Sequence, residues 1–285
     1  MRIAITSDIH FFPHWQSRIK RFAELIQARK PDLLILAGDL GEPLEMFAEA
    51  LKVFRPVCQT RAALAGNHDV WHRATPYTSQ HLWESLLEST ARAYGYHWLD
   101  RGNLVVDSIG ICGTLAWYDY GGRAPMLGLS EVDCEQLKSL VSNDANYVDW
   151  PWTDREFVRL ISAEFEARLD ALQADPQVKE IIVVTHVPLF RNCLKEITTP
   201  EQGVLNAYYG NIQLGERVAQ RGKVKAVFSG HVHQERRCQV PRANGAGPLS
   251  VYTIPADYGE PAALLLDTDT WQVSVIRAEV GVSSF

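Results

Sequence analysis

"RAALAGNHD", residues 61–69, joins a short apolar run to three consecutive polar side chains. We predict a buried strand over residues 61–65 and a turn that begins at Gly66. Asn67, His68 and Asp69 then place an amide, an imidazole and a carboxylate at the end of that strand. A turn explains such residues, because Asn and Asp tolerate unusual backbone angles and bond to nearby backbone groups. A metal ligand with a catalytic acid beside it explains them as well.

Polar side chains also follow four other predicted strands. In α/β proteins ligands gather beyond the carboxyl ends of parallel strands, so we expect these side chains to converge. Asp8/His10 and His231/His233 are i, i+2 pairs, which an extended backbone points to the same side. The candidate metal ligands at the five strand ends are Asp8, His10, Asp39, Asn67, His186, His231 and His233.

This ligand set indicates two divalent or transition metal ions. Carboxylate, amide and imidazole groups together suit Mn, Fe or Zn, and seven ligands exceed the four of a tetrahedral zinc site. Two ions that share a bridging carboxylate fit the number. Each residue also has another explanation: a strand-end His as a core or capping group, Asp39 as a cap, and Asn67 as a left-handed turn residue. Those explanations require independent coincidences at five strand ends, so we favour the metal site.

Apolar strands and amphipathic helices alternate along the first part of the chain, which favours an α/β (α+β) fold with a largely parallel sheet. Thr153 with Glu156 forms a capping box that begins a helix. Predicted strands include Arg2–Thr6, Leu33–Ala37 and Ile109–Thr114, and predicted helices include Leu44–Phe54, 79–93 and 212–221. After His233 the pattern changes to short strands, which we predict to form an antiparallel meander: Arg236–Val240, 249–254, Ala262–Asp267 and 272–276. We expect one domain over residues 1–285, with an irregular insertion at about 115–152.

Bulk properties exclude several classes of protein. The 285 residues carry a net charge of −6, which argues against binding to extended duplex DNA. No apolar run is long enough to cross a membrane, and the start "MRIAITSDIH" has no signal-peptide core, so we expect a cytoplasmic location. The five cysteines form no C-x-x-C pair and are expected to be reduced and mostly buried. The oligomeric state is not indicated.

Five motifs together resemble the calcineurin-like metallophosphoesterases: Asp8-x-His10, Gly38-Asp39, Gly66-Asn67-His68-Asp69, His186 and Gly230-His231-x-His233. They occur in the family's order and span residues 8–233. The resemblance implies a four-layer αββα sandwich, with two mixed β-sheets flanked by helices and metals at the strand ends. It also implies the ligands of each metal: one is held by Asp8, His10, Asp39 and His233, and the other by Asp39, Asn67, His186 and His231.

The resemblance further implies hydrolysis of a phosphoester. Two cations about 3.5–4 Å apart lower the pKa of a bridging water and clamp the phosphoryl oxygens, so that hydroxide attacks phosphorus in line. His68 follows the ligand Asn67 with its ring off the metal, and it is our candidate general acid. In several relatives an acid three residues after the bridging Asp orients the catalytic His. Glu42 has that position here, although an exposed Glu at a helix start is an alternative.

We predict a small-molecule or nucleotide phosphodiester as the substrate. "SDIHF", "GDLGEP" and "AGNHD" differ from the phosphoprotein-phosphatase motifs and look like those of the more varied bacterial phosphodiesterases. The alternatives are a phosphomonoesterase, including a phosphoprotein phosphatase, a nuclease, and a metal-stabilised interaction scaffold. A serine-hydrolase elbow is unsupported because G-x-S-x-G is absent, and Glu216 replaces the lysine of a P-loop.

The segment 117–152 is rich in aromatic residues and is predicted to lie over the metal site, where it shapes substrate choice. Aromatic side chains stack on nucleobases, but they also form hydrophobic clusters under long loops. Both interpretations stay open from the sequence. The candidate substrate residues are Trp117, Tyr120, Arg123, Arg191 and Tyr208.

Overall fold

The computed structural model of the protein describes residues 1–243 and 245–278. These residues form two mixed six-stranded sheets, with the orders β12-β11-β1-β2-β3-β4 and β5-β6-β7-β8-β10-β9. The strands are β1 (Arg2–Thr6), β2 (Leu33–Ala37), β3 (Thr60–Leu64), β4 (His97–Trp98), β5 (Leu104–Val106), β6 (Ile109–Thr114), β7 (Glu180–Thr185), β8 (Val224–Ser229), β9 (Arg236–Val240), β10 (Leu249–Thr253), β11 (Ala262–Asp267) and β12 (Gln272–Arg277).

Helices flank the sheets, as predicted. Thr153 begins the longest helix with the expected capping box, since its side chain accepts the Glu156 N–H and the Glu156 carboxylate accepts the Thr153 N–H. A π-helical turn, Leu82–Leu86, interrupts the helix predicted over 79–93. The helices are α1 (Gln16–Ala28), α2 (Leu44–Phe54), α3 (Ser79–His81), α4 (Leu87–Ala93), α5 (Glu131–Val141), α6 (Asp144–Tyr147), α7 (Asp154–Ala174), α8 (Pro200–Leu205) and α9 (Ile212–Ala219).

The strand β2 is apolar at every position because both of its faces are covered. In β2, Leu33 and Ile35 belong to a buried layer that also contains Ile182 and Phe228 of the other sheet. The alternate residue Leu34 instead belongs to the buried cluster that contains the apolar side chains of α1 and α2. Period-2 alternation of a strand thus sends one set of side chains between the sheets and the other under the helices. This is the predicted sandwich of two mixed sheets flanked by helices.

Parallel pairing brings the ends of the ligand-bearing strands to the same edge. β1, β2 and β3 are parallel neighbours in the first sheet, and β7 and β8 are parallel neighbours in the second. The buried layer between the sheets then places the two sets of carboxyl ends next to each other.

The prediction that the four strands after residue 233 form a single antiparallel meander is wrong. The four strands form two hairpins that lie in different sheets: β9 pairs with β10, and β11 pairs with β12. β10 also lies parallel to β8, whereas β11 runs antiparallel to β1. The open edge of β1 provides backbone partners for β11, and the apolar side chains of β11 are buried there, so the chain changes sheets after β10.

The segment 115–152 is more regular than the sequence indicates, since it contains α5, α6 and a 3-10 turn, Pro125–Leu127. Ser130 and Asp133 form a capping box at the start of α5. Cys134 is the only buried residue of α5, so the apolar periodicity that reveals other helices is weak. All five cysteines are free, and Cys112, Cys134 and Cys193 are buried. Within the described part of the chain, no helix combines the length and apolar character needed to cross a membrane.

Candidate metal centre

The seven predicted ligands meet at the shared edge of the two sheets. Two groups of side chains each bring their ligand atoms within 4.8 Å of one another: Asp8, His10 and His233 form the first, and Asp39, His186 and His231 form the second. Asn67 joins the second group, because its Oδ1 lies 3.1 Å from His186 Nε2 and 3.0 Å from His231 Nδ1.

Asp39 lies between the two groups. Its Oδ2 atom is 3.7 Å from His10 Nε2 in the first group and 3.4 Å from His186 Nε2 in the second. Its other oxygen, Oδ1, accepts the backbone N–H of His68 at 2.9 Å. One carboxylate oxygen is therefore held by the backbone while the other faces both groups, which is the arrangement needed for a bridging ligand.

Three of the imidazoles are oriented by their outer ring nitrogens. His186 Nδ1 lies 3.0 Å from the Ala37 carbonyl oxygen, and His231 Nε2 lies 3.1 Å from that of Tyr208. His233 Nδ1 lies 2.9 Å from the Asp257 carboxylate. Each acceptor can take the proton of the outer nitrogen, which leaves the inner nitrogen of the neutral ring free to bind a metal, as in metal-ligating histidines.

The spacing of the inner atoms fits metal ions. His10 Nε2 and His233 Nε2 are 3.4 Å apart, and His233 Nε2 is 3.1 Å from Asp8 Oδ1. Ligand atoms bound to one ion at about 2.1 Å lie roughly 3–3.5 Å from one another. A cation placed between these atoms would replace the proton that His233 shares with Asp8. The mixture of carboxylate, amide and imidazole suits a first-row transition metal.

Unusual backbone geometry aims these side chains at the site. Left-handed backbone angles are uncommon for residues other than glycine, and they persist where the surrounding structure enforces them, often at functional sites. In this chain five of the seven predicted ligands have positive φ angles: Asp8 (52°), His10 (41°), Asp39 (54°), His231 (69°) and His233 (53°).

Gly66 is required by the close approach of two ligand-bearing loops. A Cβ atom at this position would lie 2.0 Å from Asp39 Oδ1 and 2.2 Å from the Asp39 backbone nitrogen. No side chain fits in that space. The glycine that begins the motif at residue 66 therefore lets β2 and β3 bring Asp39 and Asn67 together.

Asp69 holds both loops through their backbones. Its buried carboxylate accepts the N–H groups of Gly66 and Asp39, each at 2.8 Å. It also accepts those of Leu40 at 2.9 Å and Gly41 at 3.2 Å. Burial and the nearby Asp39 carboxylate raise the pKa of Asp69 to about 7, against the lowering effect of these backbone donors. The last residue of Gly-Asn-His-Asp is thus a structural clamp.

The charges within the site are strongly coupled. Burial by itself raises the pKa of Asp39, but His186 and His68 lower it well below its ordinary value. Burial lowers the pKa of His186, yet Asp39 outweighs burial and raises it to about 9. Burial lowers the pKa of His10 to about 3 and that of His231 to about 4. Burial likewise lowers the pKa of His233, but Asp8 outweighs burial and raises it to about 9. His10 and His231 are thus neutral at neutral pH, whereas His186 and His233 must lose a proton when they bind metal.

His68 lies at the opening of the site, next to the ligand Asn67. His68 Nε2 is 3.9 Å from Asp39 Oδ2, and the His68 ring stacks on Trp71 with centroids 3.7 Å apart. Burial lowers the pKa of His68, but Asp39 and Glu42 outweigh it, so the net shift is upward. Glu42 is half-buried, and its Oε1 is 3.9 Å from His68 Nδ1. The structure thus places both predicted catalytic residues together, with Glu42 behind the ring.

Asp144 of α6 supports the site from the segment 115–152. It is buried, and its Oδ1 accepts a hydrogen bond from Asn67 Nδ2 at 2.9 Å. The same oxygen accepts the Trp71 indole N–H at 2.7 Å. The hydrogen bond from Asn67 identifies which end of its amide is the nitrogen, so that Oδ1 faces His186 and His231. The C-terminal part of this segment therefore reaches the candidate metal centre.

A cleft of about 290 Å³ opens above the candidate ligands. Tyr258 stacks on His10 with ring centroids 4.1 Å apart and forms part of its wall. Tyr208, a predicted substrate residue, lines the cleft and donates its hydroxyl to the Cys134 carbonyl. Other lining residues are Trp71, Val141, Ser142, Asn143, Asp144, Lys195, Leu205 and Tyr209.

The structure does not bring the other four predicted substrate residues to this cleft. Trp117 and Tyr120 are completely buried, and both donate hydrogen bonds to the Asp154 carboxylate. Arg123 donates to the backbone oxygens of Tyr120 and Leu129. Arg191 lines a neighbouring groove. The aromatic residues at the start of the segment are thus a packed cluster around a buried acid, which is the alternative that the sequence left open.

Sequence reasoning missed Asp69, Asp144, Tyr258 and Lys195 as parts of the site. Asp69 had a signal, because it belongs to the Gly-Asn-His-Asp motif that begins at Gly66. Asp144 and Lys195 follow no strand and have no distinctive spacing, so no local pattern indicates them.

The comparisons with known proteins agree with this site. A family model described as calcineurin-like phosphoesterase matches residues 1–235. A phosphopantetheinyl hydrolase from Mycobacterium tuberculosis has a TM-score of 0.70 at 18% identity, over 90% of this chain and 89% of that one. A dimetal phosphatase from Danio rerio has a TM-score of 0.53 at 12% identity, over 98% and 99% of the two chains.

A protein from Thermus thermophilus has a TM-score of 0.52 at 14% identity, over 97% of this chain and 98% of that one. Among curated protein sequences, none is significantly similar to this chain. At these identities the structural likeness shows the fold, and the family match extends over every predicted ligand.

Proposed function

Since the chain belongs to the calcineurin-like phosphoesterase family, we propose that it is a two-metal hydrolase that cleaves a small-molecule or nucleotide phosphodiester. The first metal would be held by Asp8, His10, Asp39 and His233. The second would be held by Asp39, Asn67, His186 and His231.

The orientation of the imidazoles is the observation that carries this proposal. His186, His231 and His233 each direct an inner nitrogen at the site because a carbonyl or carboxylate fixes the outer one. A histidine that served only packing would have no need of this arrangement, and three at one edge have a common explanation in metal binding. An interaction scaffold that had lost its metals would not require it.

Two bound cations would supply Lewis-acid activation of water and of the phosphoryl group. The protein's own residues supply position and protons. Asp39 holds the two ligand groups at a fixed separation, because one of its oxygens is anchored by the His68 backbone N–H. Asp69 in turn anchors the loops that carry Asp39 and Asn67.

His68 is the proposed general acid for the leaving group. Its ring belongs to neither proposed ligand set, although its ligand atom lies within 4.8 Å of those of His10 and Asp39, and Trp71 stacks on one face to fix the ring plane. The upward shift of its pKa increases the fraction of imidazolium near neutral pH, which is the form that donates a proton. Glu42, behind Nδ1, is proposed to stabilise that imidazolium.

The aromatic lining of the cleft is the reason for favouring a diester over a monoester. Trp71, Tyr208, Tyr209 and Tyr258 line the space beyond the ligands. Aromatic rings can pack against the substituents on phosphorus, and a diester has two such substituents where a monoester has one. A phosphomonoesterase is the second candidate.

Turnover of two aryl esters tests the proposal. Bis-p-nitrophenyl phosphate and p-nitrophenyl phosphate are compared with metal-free protein to which Mn²⁺, Zn²⁺ or Fe²⁺ is added. A higher kcat/KM for the diester supports a phosphodiesterase, and the reverse order supports the monoesterase. No turnover with any metal, despite stoichiometric metal binding, would favour the scaffold. Asp39→Ala, which removes the shared ligand, is the inactive control.

The proposal includes Mn, Fe or Zn as the metal and a reducing compartment such as the cytoplasm. The five free cysteines support the latter. Elemental analysis of protein purified without added metal tests the metal identity. A fusion to a fluorescent protein, observed in the native host, tests the location.

A further inference from the structure

A second groove adjoins the metal cleft and is lined by cations. It has a volume of about 400 Å³, and its walls include Arg191, Lys195 and Arg236. Lys195 also lines the metal cleft, so the two spaces meet at this side chain. The groove also contains one acid, Glu196, which leaves an excess of positive charge.

Distant parts of the chain assemble this groove. Arg191 begins the 3-10 turn Arg191–Cys193, and Arg236 begins β9. The turn is held against the strand, because Cys238 Sγ donates to the Asn192 carbonyl oxygen at 3.3 Å. Tertiary packing thus brings the guanidinium groups of Arg191 and Arg236, which come from separate segments, to the same groove.

These cations have no carboxylate partner among residues 1–243 and 245–278. Arg191 donates to the Arg123 carbonyl oxygen at 3.3 Å, and Arg236 donates to the Gln234 side chain at 3.2 Å. Arg236 Nε is buried without a hydrogen-bond partner. Within the described residues, eight of the 18 other arginines form ion pairs, as Arg237 does with Glu235 at 3.0 Å. Unpaired guanidinium and ammonium groups around one concavity favour the binding of an anion.

A short path leads from these cations to the proposed metals. Lys195 Nζ lies 5.1 Å from the centre of the Tyr209 ring. The Tyr209 ring in turn meets His231, with ring centroids 5.3 Å apart. One aromatic ring therefore separates Lys195 from a proposed metal ligand, and a small substrate can contact both.

We propose that this groove binds a second phosphate group of the substrate, while the phosphodiester to be cleaved lies at the metal centre. The inference rests on the proposed function and adds the substrate class: a phosphodiester with a further phosphate on one of its two substituents. Lys195 would contact the link between the two phosphates, and Arg191 and Arg236 would hold the distal one.

A matched pair of chromogenic substrates tests this assignment. Thymidine 5′-(p-nitrophenyl phosphate) carries one phosphoryl group, and its 3′-phosphorylated counterpart differs only by the second phosphate. We expect kcat/KM to be about tenfold or more higher for the 3′-phosphorylated compound, mainly through KM. This preference should fall as salt screens the charges. Equal kcat/KM values for the two compounds would overturn the proposal.

Substitutions of the three groove cations test whether they cause the preference for the 3′-phosphorylated substrate. In Arg191→Gln, Lys195→Gln and Arg236→Gln the ratio of the two kcat/KM values should fall toward one, most of all in the triple variant. Arg237→Gln is the matched control, because Arg237 is next to Arg236 on β9 and alternation along a strand points it to the other side. If the triple variant keeps the wild-type ratio of kcat/KM values, the second phosphate binds elsewhere and the assignment is contradicted.

A binding measurement separates this proposal from the proposed activity. Thymidine 3′,5′-bisphosphate and thymidine 5′-monophosphate are titrated into metal-loaded protein by calorimetry. The bisphosphate should bind about tenfold more tightly to the wild type and to Arg237→Gln, but not to the triple variant. Failure of both substrates to react, with this binding pattern intact, would reject the hydrolase and keep the groove. Equal affinity for the two nucleotides would reject the groove.

Discussion

The carboxylate of Asp144 accepts a hydrogen bond from the Asn67 side-chain amide at 2.9 Å. Because an amide has an oxygen end and a nitrogen end, this bond determines that the oxygen faces His186 and His231. The two residues are 77 positions apart, and α6 brings them together. A residue outside the ligand set thus positions a proposed metal ligand.

Asp144→Ala is expected to weaken metal binding by about 10–100-fold, because the Asn67 amide loses the acceptor that orients it. Asp144→Asn keeps a carbonyl acceptor, so its metal affinity should fall less. Dissociation constants for Mn²⁺ and Zn²⁺, obtained by competition with a chromophoric chelator, check this order. Glu131→Gln, an exposed change on α5, is the control. An unchanged metal affinity in Asp144→Ala would show that Asp144 serves packing alone.

Asp39→Ala is expected to lose both metals, since Asp39 Oδ2 faces both ligand groups. The wild type should contain two ions per chain by elemental analysis, and Glu164→Ala, an exposed change on α7, should also contain two. One ion in the wild type, or two retained in Asp39→Ala, contradicts the dinuclear assignment.

His68→Ala is expected to retain its metals but to lose roughly 10²–10⁴-fold in kcat on esters with poor leaving groups. The leaving groups of activated aryl esters need little protonation, so kcat on these esters should fall less. Steady-state rates on a series of leaving groups, with metal content measured in parallel, provide the test. His81→Ala, an exposed histidine, serves as the reference. An equal loss across the series would argue against the general acid, and loss of metal would make His68 a ligand.

Asp69→Asn is expected to lower the free energy of unfolding of the metal-free protein by about 2–4 kcal/mol. The new NH₂ group would face backbone N–H donors where a carboxylate oxygen now accepts them. Urea denaturation measures the change. Asp170→Asn, an exposed change on α7, should alter stability little. A stability close to that of the wild type would show that the four backbone bonds to Asp69 are replaced without loss.

Trp117→Ala is expected to destabilise the protein by about 3–5 kcal/mol without altering substrate preference. Trp117 is completely buried, and its indole N–H donates to Asp154 at 2.8 Å. Tyr120→Phe should lower stability less, because it removes only the hydroxyl that binds Asp154. Thermal unfolding and the ratio of kcat/KM for two diesters check both variants. A changed ratio at wild-type stability would return Trp117 to the substrate site.

The local sequence pattern alone predicts most of the strands and helices. β1, β2 and β6 begin and end where the sequence predicts, because buried parallel strands are continuous apolar runs with turn residues at both ends. The ligand candidates were predictable for a related reason. Parallel strands deliver their carboxyl ends to the same edge, so polar residues that follow such strands converge.

Tertiary structure decided what each of the surrounding residues does. The sequence did not indicate that β11 pairs with β1, since edge pairing depends on which backbone groups remain open after the sheet forms. It also left open whether Trp117 lines a cleft or packs in a core, because an aromatic residue in an irregular segment has no periodicity to show its direction. In the structure Trp117 is buried and donates a hydrogen bond to Asp154.

The sequence by itself therefore determined the order of strands and helices and the residue types at the edge where we propose that metals bind. Only the fold decided which distant groups hold those residues: Asp69 bridges to Asp39 across 30 positions, and Asp144 reaches Asn67 across 77. Hydrogen bonds within a helix or turn follow from spacing along the chain. Bonds between segments so far apart depend on the packing of the two sheets and of α6, which no local pattern of residues encodes.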